Sequence, residues 1–187
     1  PGTRLAENQI EANRNQFLLA IEFTKTQTHL AWLDLTTGTF AIASDNHHEN
    51  LTPLIESLAP KEILIPEKSS ATWTQPENPW CDSFQYLEEN YTLTTIPDYH
   101  FDPIAGARTT CDTLDVLNLN GFGISDQHPA LGTAGAVLQY ASETLCNTPA
   151  NIKKIEEYKA SENLLIDPAT LQLSLIHISE PTRQASI

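Results

Sequence analysis

Apolar and polar positions alternate most strongly between Phe17 and Ser44. In QFLLAIEF, Phe17, Leu19, Ile21 and Phe23 share one face of an extended strand. In THLAWLDL, Ala31, Leu33 and Leu35 alternate with Leu30, Trp32 and Asp34, and in TFAIAS, Phe40 and Ile42 alternate with Thr39, Ala41 and Ala43. Period-2 runs rich in aromatic and branched residues, joined by short connections, predict an antiparallel meander. Gly38 falls where the second hairpin needs a positive φ. Both faces of the first two strands are largely apolar, so helices are expected to cover the sheet on both sides.

Downstream, Leu51, Leu54, Ile55 and Leu58 follow the i, i+3, i+4, i+7 spacing of a one-sided helix, with Asn50 as its expected N-cap and Pro53 in its first turn. Pro60 stops it. Glu62 to Pro66 (EILIP) reads as a short buried strand, 67–79 as a loop, Trp80 to Glu89 as a short helix, and Tyr91 to Ile96 as a last strand closed by Pro97. The polar segment Leu5 to Gln16 has weak helical spacing. After Pro97 the pattern turns helical, over Ile104 to Leu114 and more strongly over Pro129 to Leu145, where Gly132, Ala134, Gly135, Ala136 and Ala141 invite close approach of another helix. Ile152 to Ile166 has a mixed pattern, and Asp167 before Pro168 reads as a helix start. The change of period around Pro97 predicts a domain boundary near residue 100 with few contacts across it.

Charge narrows the partners. The net charge is −14, and between Asp45 and Tyr91 two lysines, Lys61 and Lys68, face nine carboxylates. A phosphate backbone needs clustered cations, so this surface suits a protein partner better than nucleic acid. Cys81, Cys111 and Cys146 lie far apart without metal-ligand spacing and read as free thiols. No apolar run is long enough to span a membrane. The chain holds no methionine and opens on Pro-Gly-Thr, which reads as an internal fragment.

Five blocks carry a family resemblance. Pro1, Gly2 and Thr3 with FLLAI and LAWLDLTTGTF (containing Leu33, Asp34 and Gly38), then EILIP, then LNGFG (with Gly121, Phe122 and Gly123), then TAGAVLQYASET (with Gly135), then LLIDPAT (with Asp167), resemble in order and spacing the MutS family of DNA mismatch-recognition ATPases. The resemblance implies an α/β fold: a ribonuclease H-like mixed-sheet connector domain over residues 1–100, followed by a partial, mainly helical core/lever segment over 101–172. It further implies a bacterial cytoplasmic, nucleoid-associated protein that docks MutL through the connector. Its homodimer partner and mismatched DNA would be met through regions outside this chain, and ATP and Mg²⁺ would serve the full-length protein only. The family's Phe-x-Glu mismatch wedge and a GxxxxGK[ST] nucleotide loop are both absent from this sequence. The run Leu173 to Arg183 (LSLIHISEPTR) replaces the charged lever-helix start of the family and reads, with the rest of 173–187, as a non-native tail translated from a sequencing adapter.

Candidate chemistry is sparse. Glu22 and Asp34 lie on neighbouring strands, and ribonuclease H-like nucleases hold two metal ions on strand carboxylates. No further carboxylate is visibly placed to complete such a cluster, and Asp34 before Thr36 and Thr37 is also an ordinary turn acceptor. His47 and His48 read as a solvated loop, and His100 and His128 have no partner visible in the sequence. Gly121 and Gly123 around Phe122 read as a turn with one apolar anchor. No residue of this chain is expected to be catalytic, to bind a cofactor or to hold a metal.

Overall fold

The structure is a computed structural model, and it describes residues 16–145 and 151–159. The strands β1 (Phe17–Phe23), β2 (Thr28–Asp34) and β3 (Phe40–Asp45) form the expected meander, and β4 (Glu62–Pro66), β5 (Leu93–Ile96) and β6 (Glu156–Tyr158) complete one six-stranded sheet. Its order is β5-β4-β1-β2-β3-β6. β1 and β2 pair antiparallel, as do β2 and β3, whereas β4 runs parallel to β1, β5 to β4 and β6 to β3. This is the mixed sheet of a ribonuclease H-like α/β fold.

Helices cover both faces. α1 (His48–Leu58) and α2 (Cys81–Asn90) lie on one, with Leu51, Ile55, Phe84 and Leu87 packed against Leu19, Ile21, Leu30 and Trp32. α3 (Pro103–Leu114) and α4 (Leu131–Leu145) lie on the other, where Ala107, Ala134 and Val137 meet Ala20, Ala31, Leu33 and Ile42. Alternate residues of the same strands therefore feed two separate cores.

The expected boundary near residue 100 does not exist. α4 packs on β1, β2 and β3, and β6 extends the same sheet beyond β3. Described residues after Pro97 thus belong to the sheet domain rather than to a separate helical segment. The physical reason is the composition of α4: a helix apolar nearly all round is a buried helix, and a sheet face is the large apolar surface available to bury it. Glycine makes this possible. A Cβ on Gly106 of α3 would stand 1.8 Å from the Leu131 carbonyl oxygen, and one on Gly135 of α4 would stand 2.5 Å from the Gly106 Cα. The two helices touch backbone to backbone.

Two local expectations also change. α1 begins at His48, not after Asn50, and the Asn50 side chain instead donates to Asp45 Oδ2 at 2.8 Å. The segment after Ile152 contains β6, which its sequence did not announce. Pro1, Gly2, Thr3, Asp167, all of the Leu5 to Gln16 entry segment except Gln16, and the 173–187 tail lie outside the described residues.

Candidate functional site

Asp34 ends β2 and closes the second hairpin. Its Oδ1 accepts from the Thr36 amide at 2.8 Å and from the Gln16 amide at 3.3 Å, and its Oδ2 accepts from the Thr37 hydroxyl at 2.8 Å. The buried carboxylate is thereby satisfied by the turn it organises. Gly38 follows at φ +75°, and a Cβ there would meet the Asn151 carbonyl oxygen at 2.5 Å, so the turn is also the seat for the chain arriving before β6.

Strand register separates Asp34 from Glu22. Phe17 stands opposite Asp34, whereas Glu22 stands opposite His29, five positions further along β1. Five positions span about 17 Å, and the odd offset puts the two carboxylates on opposite faces. They cannot share a pair of metal ions. Among the described residues no group of three His, Cys, Asp or Glu side chains is placed to hold a metal. Glu22 and Asp34 are therefore not a two-metal donor pair.

What the fold does assemble is a polar seam on the α3/α4 side, at the end of the sheet away from Asp34. His29 of β2 is buried, and its Nδ1 lies 2.9 Å from the Ser44 hydroxyl of β3. Burial, with the nearby His128 as a second cause, holds its pKa down to about 4, so the ring is neutral at pH 7. His128, which the sequence left without a partner, accepts from the Ala130 amide at Nδ1 (3.2 Å) and turns Nε2 toward Glu157 of β6 at 3.4 Å. Glu22 is raised above its ordinary range by burial and then by the charge of Asp98. Sequence reasoning missed this grouping because β6 had to be placed first. Within the seam His29 itself is buried, and a buried neutral imidazole is a structural partner rather than a general base.

The other face is acidic outside. Of the nine carboxylates between Asp45 and Glu89, Glu49, Glu56, Glu67, Glu77, Asp82, Glu88 and Glu89 are exposed, around α1, α2 and the loops that join them. Glu56 accepts from the Tyr86 hydroxyl at 2.7 Å and so joins α1 to α2. Glu62 leaves this set: it turns to the opposite face and accepts from Thr94 and Tyr140.

The remaining signature positions are architectural in placement. Leu33 is fully buried, and Gly135 meets Gly106. Gly121, Phe122 and Gly123 form a short 3₁₀ turn over Asn120–Phe122, with Gly123 at φ +76° and Phe122 leaning on the core. The profile of the MutS domain II family matches residues 16–156, from the residue before β1 into β6. The chain belongs to the MutS domain II family. Among its relatives is the DNA mismatch repair protein MutS of Thermodesulfovibrio yellowstonii, 30% identical over 188 residues and covering 100% of this chain. The DNA mismatch repair protein MutS of Thermosynechococcus vestitus is 28% identical over 183 residues, covering 91% of this chain. That of Protochlamydia amoebophila is also 28% identical, covering 95%. The chain spans 20% of the length of each of these relatives. The family match runs through residue 100 without a break, in agreement with the single sheet.

Proposed function

We propose that this chain is the connector module of a MutS-type mismatch repair protein. In this reading it links mismatched-DNA binding to a distant ATPase, docks MutL, and performs no chemistry of its own. The observation that carries the docking assignment is the α1/α2 face, where seven exposed carboxylates stand against the exposed Lys61 and Lys68. Such a field repels phosphates and steers a basic protein surface, at a rate that falls with added salt. Mismatched DNA, ATP, Mg²⁺ and the homodimer contact are assigned to parts of the longer protein outside this chain, which would act in the bacterial cytoplasm.

MutL and duplex DNA titrated in parallel into labelled protein at low salt test the assignment. Amide shift changes confined to α1, α2 and their loops are expected with MutL, and none with DNA. Tight duplex binding with a steep salt slope and no perturbation by MutL would reject it. The absence of chemistry has its own test. Incubation with an RNA–DNA hybrid and Mn²⁺ is expected to give no cleavage, and cleavage abolished by Asp34→Asn would promote a nuclease instead.

A further inference from the structure

We infer that β6 is a releasable strap, able to leave the sheet while the other five strands stay folded. The segment before it is firmly rooted. Ile152 and Ile155 are buried in the α3/α4 core, and Asn151 donates to the Thr36 carbonyl while its own carbonyl packs against Gly38.

Past Ile155 the hold changes in kind. All three residues of β6 are only half-buried, whereas every residue of β2 is buried. β6 pairs on one side only, through Ala41–Glu156, Ile42–Glu157 and Ala43–Tyr158. Among the described residues its side-chain ties include the His128–Glu157 contact at 3.4 Å, an edge-on contact of the Tyr158 and Trp32 rings at 5.9 Å, and the packing of a half-buried Tyr158 at the margin of the α1/α2 core. Glu156 and Glu157 also pair with Lys154 and Lys159. Both of those pairs are local in sequence, so they survive when the strand leaves β3. Segments with little buried surface open at a lower free energy than the molecule as a whole. β5, at the other edge, provides the contrast, because Glu62 ties it to both β4 and α4 through Thr94 and Tyr140. A pull from residues beyond β6 would thus lift this strand before it disturbed Ile155.

Amide hydrogen exchange on the full 187-residue chain tests the strap. The ladder amides of β6 are expected to exchange about 100-fold faster than those of β1 and β2, with little dependence on dilute urea, as local opening requires. β5 should stay closer to β1 and β2. Glu157→Gln should speed β6 by about threefold, the scale of one partly exposed polar contact, and leave β1 and β2 unchanged. Ile155→Ala, which cuts the root, should accelerate all strands together. Exchange of β6 at the rate and urea dependence of β1 and β2 would overturn the inference. So would a Glu157→Gln effect spread evenly over the sheet.

Discussion

The two faces of this sheet are covered by two different solutions to one problem. On the α1/α2 side the helices are modest and the gap is filled by rings. Phe23 stacks on Trp80 with centroids 5.1 Å apart and meets Trp73 edge-on at 4.8 Å, and Trp73 meets Phe84 at 5.3 Å. On the α3/α4 side the gap is closed by removing side chains, so that Gly106, Gly132 and Gly135 bring backbones into contact. Large side chains tolerate an error, because rotamers can adjust around a vacancy. Backbone contact tolerates little, since neither partner can turn aside. The α3/α4 face should therefore be the more brittle to added volume, and the α1/α2 face the more sensitive to lost volume.

The largest expected effect breaks the brittle face. Gly106→Ala places a methyl group 1.8 Å from the Leu131 carbonyl oxygen, so the helices must part. A loss of about 4 kcal/mol or more, or failure to fold, is expected in urea unfolding. A change within about 0.5 kcal/mol would mean that the helices are not in backbone contact.

Next is the ring-filled face. Trp80→Ala removes the stack on Phe23 and the Nε1 bond to the Thr24 carbonyl, 2.7 Å long. It should cost about 3–5 kcal/mol, of which Trp80→Phe recovers the larger part.

Acid should weaken the polar seam at the edge of the α3/α4 face. The folded-state pKa of His29, about 4, lies below its unfolded value. Its contribution to stability is therefore full above about pH 6.5 and is lost as the pH falls toward 4. A loss on the order of 2 kcal/mol is expected across that window, and His29→Gln should flatten the slope. Glu22 acts in the opposite sense, because a raised carboxylate takes up its proton more readily in the folded state. The comparison is thus cleanest with Glu22→Gln in both proteins. An unchanged slope in His29→Gln would show that the imidazole is not held neutral.

A smaller change is expected at the hairpin. Asp34→Asn turns an amide N–H₂ toward a donor and should cost about 1–2 kcal/mol without altering the fold. The smallest is Gly121→Ala, where a Cβ meets nothing within 4 Å. It should stay within about 0.5 kcal/mol and so isolates volume from glycine chemistry in the Gly106 result.

Legibility in the sequence followed the same division between faces. β1 to β4, α1 and α2 were readable because their periods are local and each buries one stripe or face. β4 was legible to its ends, Glu62 and Pro66. α3 and α4 were readable as helices but not as part of this domain. Small residues signal that something approaches closely, without saying what. β6 was unreadable: three residues, two of them carboxylates, carry no period. With β6 hidden, the meeting of His128 with Glu157 was hidden too. The opposite faces of Glu22 and Asp34 were readable in principle from period 2, but their separation needed the register.

The three tryptophans, Trp32, Trp73 and Trp80, all lie in the α1/α2 core. Tryptophan emission from this chain is consequently an optical probe of one layer, blind to events between α3 and α4. Far-ultraviolet circular dichroism, by contrast, sees the helices of both layers. If the two signals trace the same curve during melting, the layers come apart together. If emission holds its native wavelength while ellipticity declines, the glycine-closed layer has let go first, and a tryptophan assay alone would have certified a half-open molecule as intact.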